Sequence, residues 1–167
     1  QQEGYADLIR LLKGDSAPIV DTAILSLPDV PFSGSRARSA NDFARKEPFD
    51  LLTFALPVHT VTLDGVQGSY GNRARYQSGQ ASTDPGFNHY GHCNGQDYAE
   101  VMYSFPQNSG KGTLLVLSDS YSNPLKPLIA SHFETTRFID LRFYETTFKK
   151  PFVMEEYIRE HGMDQVL

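Results

Sequence analysis

The stretch Gly112–His132, GTLLVLSDSYSNPLKPLIASH, restricts the choice of fold more than any other part of the chain. Thr113-Leu114-Leu115-Val116-Leu117 is a continuous apolar run of strand length, the pattern of a strand covered on both faces. Asn123 and Pro124 supply an N-cap and a first-turn proline, and Leu125, Leu128, Ile129 and Phe133 keep a helical period. Ser118-Asp119-Ser120-Tyr121-Ser122 therefore reads as a polar turn between the carboxyl end of a buried strand and the start of a helix. Ligands of open α/β sheets bind at that edge. Ser120 is the first candidate for chemistry, with Asp119 beside it. Serine, aspartate and asparagine are also the preferred capping residues, so the turn has an equally simple structural explanation.

The residues that follow repeat the pattern. Arg137–Phe143, RFIDLRF, reads as a second strand, and Pro151 opens a helix through His161 with Val153, Met154, Tyr157 and Ile158 as its apolar stripe. Gly162 suits the position just past the helix. Asp164–Leu167 resembles the opening of a third strand. Strand, helix, strand, helix, strand over residues 113–167 implies parallel strands with right-handed crossovers. Asp140 and Arg142 lie two apart, so on a strand they would point to the same side, as a structural ion pair or as part of a site.

Upstream the signals are weaker. Tyr5, Leu8, Ile9 and Leu12 predict a helix over residues 4–13, and Gly14 stops it. Pro18, Pro28, Pro31 and Ser33-Gly34-Ser35 mark loops, with a short strand at Thr22–Leu27. Arg36, Arg38, Arg45 and Lys46 form a basic segment that reads as a solvated face. Phe49–Leu56 and Val58–Leu63 are strand-like, Asp64-Gly65 is a tight-turn pair, and Ala99–Phe105 alternates like a strand. Residues 64–97 between them are rich in glycine, asparagine and tyrosine and read as long and irregular. The fold expected is α/β with a mainly parallel sheet, in a single domain over residues 1–167. Its βαβαβ core would lie at 112–167, with an inserted irregular and β-rich segment over about 15–105.

Composition removes several function classes. With 15 Lys and Arg against 20 Asp and Glu the formal charge is −5, which argues against a nucleic-acid surface. No apolar segment approaches the roughly 20 residues needed to cross a bilayer. The single cysteine, Cys93, excludes an internal disulfide and leaves the compartment open. The chain starts at Gln1 and stops inside a strand-like segment, so it reads as a piece of a longer or processed protein in which a targeting sequence has no reason to be visible.

A serine nucleophile needs a base and donors for the oxyanion. His132 and His161 lie at the far ends of their helices, away from the Ser120 edge, which leaves His59, His89 and His92. His89 and His92, in the glycine-rich region with Asp84 and Asp97 nearby, are the base candidates, although an ordinary surface histidine explains either one. His89-x-x-His92-Cys93 lacks the second ligand pair of a structural zinc site, so no metal is expected. Ser109-Gly110-Lys111-Gly112-Thr113 precedes a strand and lacks the hydroxyl residue after its lysine, so it is not a phosphate loop.

LLVLSDSYSNPLKPLIASHF followed by FIDLRFY resembles the C-terminal part of the bacterial DHHW proteins, which are similar to SGNH hydrolases and to the acetyltransferase-like proteins of exopolysaccharide assembly. The resemblance covers about residues 85–167, with Asn94-Gly95 where that family often carries a Gly/Asn segment. It implies a three-layer α/β/α sandwich of the SGNH or flavodoxin-like kind, with Ser120 as nucleophile of a Ser-His-Asp arrangement, and it marks Asn123 and Arg142 as site residues. In such proteins the Asp and His come from a motif before a helix, and QQEGYADLIRLL resembles that helix. The Asp-His-His-Trp-like string is absent and the chain has no tryptophan. The base would then lie upstream of Gln1 or be missing.

The function expected is a serine hydrolase or acyltransferase acting on acyl, chiefly acetyl, esters of a carbohydrate, in an extracytoplasmic bacterial protein and without metal or organic cofactor. Backbone N–H groups of the turn, with Asn94 beside Gly95 or with Asn123, would hold the oxyanion, and Arg142 with Asp140 would orient the site. A non-catalytic carbohydrate-binding or assembly module, stacking sugars on Tyr70, Tyr76, Phe87, Tyr90 and Tyr98, is the alternative. A flavodoxin-like domain holding a phosphate on the Ser118–Asn123 turn is a third.

Overall fold

The computed structural model describes residues 2–43 and 47–167; Arg45 and Lys46 of the basic segment lie outside the described residues. The elements in chain order are α1 (Gln2–Lys13), β1 (Thr22–Phe32), α2 (Ser35–Ser39), β2 (Glu47–Phe54), β3 (Thr60–Leu63) and β4 (Val66–Gly68). They continue with α3 (Arg73–Gln77), α4 (His89–Asn94), β5 (Glu100–Ser104), β6 (Thr113–Leu117) and α5 (Lys126–Ala130), then β7 (Thr135–Ile139), α6 (Leu141–Phe148), α7 (Met154–His161) and β8 (Gln165–Val166). The described residues form two compact units. The larger comprises residues up to Asp21, Ala55–Tyr70 and Asp97–Leu167, and the smaller Thr22–Phe54 with Gly71–Gln96.

The larger unit is built on a six-stranded sheet of order β4-β3-β5-β7-β6-β8. The apolar run 113–117 is its β6, which pairs in parallel with β7 on one side and β8 on the other. The rest of the sheet departs from the expectation of mainly parallel strands: β3 with β4, β3 with β5 and β5 with β7 are antiparallel, so the sheet is mixed. The reason lies in Asp64-Gly65. Both residues have positive φ, +48° and +86°, the twist of a two-residue hairpin turn, and this fixes β3 and β4 antiparallel. Asp64 then secures β5, since its N–H donates to the Glu100 carbonyl at 3.0 Å and its carboxylate accepts the Glu100 N–H at 2.8 Å.

Two elements after β6 also differ from the sequence reading. The helix expected at Asn123 begins at Lys126; a 3-10 turn over Ser120–Ser122 comes first, and Asn123 ends that turn instead of capping a helix. RFIDLRF is not one strand. β7 takes the β-branched Thr135 and Thr136 and stops at Ile139, and Asp140 then caps α6 by accepting the Arg142 N–H at 3.1 Å. A capping aspartate inside an apolar run outweighs the run's strand character. Leu115, Ile139, Tyr144, Tyr157 and Met163 make the core that joins sheet to helices. A buried polar group crosses it: Arg137 bonds Glu100 at 2.8 Å, and the Tyr157 hydroxyl donates to the same carboxylate.

α1 is fixed by Tyr5 and Ile9, both buried. The Tyr5 hydroxyl accepts the Val20 N–H at 3.3 Å and lies 2.7 Å from His132 Nε2. The hydroxyl thus ties α1 both to the segment after it and to the histidine that follows α5.

In the smaller unit β1 and β2 run antiparallel from Thr22↔Phe54 to Leu27↔Phe49, and pairing resumes at Pro31↔Pro48 after a bulge. The bulge is what lets the strand run on past Pro28, which the sequence reading placed in a loop. Val30, Phe49, Leu51, Tyr76 and Cys93 form the core of this unit. Much of the stretch read as irregular is thus short helix: Asn72 and Asn88 cap α3 and α4 by accepting the N–H groups of Arg75 and Gly91. Gly71 has φ +72°, and a Cβ there would lie 2.3 Å from the Cys93 carbonyl oxygen, so glycine alone fits. Among the described residues no helix is long and apolar enough to cross a membrane.

Burial, with the charges of Lys13 and Lys111, brings the His132 pKa down from 6.5 to about 4. Between those values the unfolded chain binds a proton that the folded chain refuses, so stability is complete above pH 6.5 and falls as the pH drops towards 4, by up to about 3 kcal/mol. Thermal unfolding of the native chain and of His132→Phe at pH 7.5, 5.5 and 4.5 checks this. The native melting temperature falls with pH more steeply than that of the variant.

Candidate functional site

The site is set by the end of one strand pair. β6 and β7 run parallel in the register Leu117↔Ile139, so both finish together, and the Ser118 N–H closes the ladder on the Ile139 carbonyl at 2.9 Å. The Asp140 N–H reaches across to the Ala99 carbonyl at 3.0 Å, which brings in the segment entering β5. Three short pieces, Ser118–Asn123, Asp140–Arg142 and Asp97–Ala99, therefore share the carboxyl edge of the parallel strands.

Asp119 organises the turn. Its backbone is extended, its carboxylate accepts the Tyr121 N–H at 2.9 Å, and its carbonyl accepts the Ser122 hydroxyl at 2.7 Å. The Ser122 and Asn123 N–H groups donate to the carbonyls of Asp119 and Ser120 at 3.3 and 3.2 Å. The amides of residues 121–123, expected to face an oxyanion, are thus already engaged within the turn. Ser120 is half-buried, Tyr121 is fully exposed and Asn123 is buried.

Asp140 and Arg142 do form a pair, as cap and first-turn residue instead of strand neighbours. Arg142 grips the carboxylate with two nitrogens, Nε at 2.9 Å from Oδ1 and Nη2 at 2.5 Å from Oδ2, and also approaches Asp97 at 3.7 Å. Burial would raise the Asp140 pKa; the hydrogen bonds and charge of Arg142, with the charge of Lys126, outweigh it and hold the carboxyl below its ordinary value. The Arg142 side chain is about half exposed (51%), so it is the cation of this group that meets solvent.

Lys126 is the residue that the sequence reading passed over. It opens α5, yet is only 3% exposed. Its ammonium donates to the Tyr70 hydroxyl at 3.3 Å and lies 5.4 and 5.7 Å from the centres of the Tyr70 and Phe138 rings. Burial lowers its pKa to about 8; Asp140, Asp97 and Asp119 pull it upward, and Arg142 pushes it down. Lys126, Arg142 and these three carboxylates are one electrostatic group. The available sequence signal was a lone cation in the otherwise apolar NPLKPLIA.

The other expected residues have partners of their own. His89 and His92 belong to α4 of the smaller unit, with both rings against Tyr76 and Phe87. His89 is fully buried, its Nδ1 lies 3.2 Å from the Tyr76 hydroxyl, and burial lowers its pKa. Asn94 is buried and its Oδ1 accepts a guanidinium N–H of Arg73 at 2.8 Å, while Gly95 ends α4 with φ +95°. In the larger unit His59 Nδ1 faces the Pro57 carbonyl at 2.8 Å and His161 packs on Tyr157. Of the aromatics proposed for sugar stacking, Tyr76 is buried and Tyr70 is taken up by Lys126. No group of three His, Cys, Asp or Glu among the described residues is placed to hold a metal ion.

A buried ammonium costs desolvation free energy that a methionine would not. Below pH 8 Lys126→Met is expected to melt higher than the native chain. The folded pKa of about 8 lies below the ordinary 10.5, so native stability rises between these values and the gap closes. Melting temperatures at pH 7, 8.5 and 10 measure it.

No family model and no curated protein matches the sequence. Solved structures do match. Bacillus cereus PatB1 carrying a sulfonyl adduct aligns with a TM-score of 0.66 at 20% identity over 99% of this chain and 54% of its own. A DHHW family protein from Eubacterium siraeum aligns with a TM-score of 0.63 at 16% identity over 98% of this chain and 52% of its own. A second PatB1 structure gives 0.57 at 15% identity, over 97% and 54%. The chain spans about half the length of each of these structures. It has the fold that this half of PatB1 and of a DHHW family protein shares.

Proposed function

We propose that Ser120 is the nucleophile of an acyl-transfer site, a hydrolase or O-acyltransferase acting on ester-linked acyl groups, chiefly acetyl, of a carbohydrate in the extracytoplasmic space of a bacterium. The observation that carries the reading is the position of Ser120: half-buried, on a tight turn at the carboxyl edge of parallel strands, next to the Asp140–Arg142 pair. The likeness to a protein that forms a sulfonyl adduct supports it, because such adducts form on nucleophilic side chains. Ser120 Oγ attacks the acyl carbon as an imidazole takes its proton; the acyl–oxygen bond of the ester then breaks, its oxygen leaves protonated, and water or a sugar hydroxyl takes the acyl group from Ser120. Arg142, the solvent-facing cation, meets the anionic oxygen or an anionic group of the substrate.

A second reading, a carbohydrate-binding module without chemistry, is favoured by two observations. The amides of residues 121–123 are engaged within the turn, and His59 and His132 each have a hydrogen-bond partner away from it.

Labelling with a fluorophosphonate, read by intact mass, separates the two. The catalytic reading expects one adduct that Ser120→Ala lacks, on this chain or on a chain carrying an upstream Asp-His motif of the kind the resemblance implies; labelling of the longer form alone places the base in that motif. If both forms fold and neither takes label, the reading is overturned in favour of the binding module.

A further inference from the structure

We infer that Lys126 is a positioning residue for Ser120: its ammonium, buried near the Phe138 and Tyr70 rings and bonded to the Tyr70 hydroxyl, balances the carboxylates of Asp97, Asp119 and Asp140 at the edge that carries the serine turn. This rests on the acyl-transfer reading of Ser120 and adds to it the group that keeps the turn electrically tolerable for an anion.

The argument begins with burial. A lysine is almost never enclosed unless its charge is matched. Lys126 is enclosed at 3% exposure with its ammonium on the Tyr70 hydroxyl at 3.3 Å, and the charges of Asp97, Asp119 and Asp140 supply the remaining balance. Each of these belongs to a different piece of the site: Asp97 to the segment entering β5, Asp119 to the turn itself, and Asp140 to the cap of α6. Arg142 is the other cation facing them, and it is held by Asp140 through two nitrogens. With Lys126 charged, the five groups sum to a single negative charge; with it neutral they sum to two.

Attack on an acyl carbon adds another negative charge at the carbonyl oxygen, and uncompensated carboxylates nearby oppose that charge. Lys126 touches no reacting atom on this account. It acts through Asp119, whose carboxylate holds the Tyr121 N–H and so fixes the residue after the nucleophile. A helix-opening lysine that served only packing would be as well replaced by an apolar side chain. The charge is what the site uses.

The rate of fluorophosphonate labelling at Ser120, followed from pH 6 to 10, tests the inference. The native rate rises with the ionisation of its base and falls above about pH 8 as Lys126 loses its proton. Lys126→Arg keeps its charge through this range, so its rate holds above pH 8. Lys126→Met labels about tenfold more slowly at pH 7 and shows no fall. Tyr70→Phe, which keeps the ring and removes the hydroxyl, leaves Lys126 in place and moves the falling limb to a different pH, an independent reading of the same charge. If the native chain labels at Ser120 and all variants keep its rate and its profile, the positioning role is overturned and the acyl-transfer reading stands. If neither the native chain nor a chain carrying an upstream Asp-His motif labels, the acyl-transfer reading falls and the positioning role falls with it.

Discussion

The register of β6 against β7 is the constraint on which the candidate site depends. Because Leu117 faces Ile139 in a parallel pair, the two strands stop level and their following turns lie side by side. A slip of one residue would send Asp140 to the other face and separate it from the serine turn. β6 is also the strand with the most continuous apolar sequence, and its Leu115 with Ile139 of β7 seats Tyr144, Tyr157 and Met163. The hydrophobic core and the polar edge are therefore consequences of the same alignment. Apolar side chains inside set the register, and the register delivers the polar residues outside.

How far the sequence foretold this depends on how local the determining interaction is. β6 was legible to the residue, since four apolar residues in a row behind a β-branched threonine leave little alternative. The Asp64-Gly65 turn and the Gly162 stop were legible because each is decided by a backbone angle that few residues adopt. The strand through RFIDLRF was misread because the outcome turned on a cap: once Asp140 accepts the Arg142 N–H, Leu141 onward winds into a helix and the ion pair acquires a different geometry. The antiparallel half of the sheet was hidden for another reason. β5 and β7 are separated in sequence by a whole strand and helix, and nothing local announces that they pair.

The site shows the same division. Ser120 and its turn were visible as a motif, and the fold shared with PatB1 and a DHHW family protein agrees with the resemblance that the motif carried. Lys126 was invisible, because a lysine at a helix start is ordinarily solvated and only the packing of Tyr70 and Phe138 makes it otherwise. His89 was conspicuous in sequence, yet the structure gives it a packed aromatic setting in the smaller unit. Conspicuous residue types mark where chemistry is feasible; enclosure decides which of them stay ready for it.

The capping position of Asp140 has one further effect. Placed in the first turn of α6, Arg142 leans back over the sheet edge with half its side chain in water, while Lys126 is sealed beneath aromatic rings. The edge thus has two cations of unequal kind, one permanent and outward, one titratable and inward. Ions in the medium can compete for the first but reach the second poorly, since exposed charges are screened and enclosed ones much less so. Salt concentration and pH become separate controls on the same few ångströms of protein, each acting through its own residue.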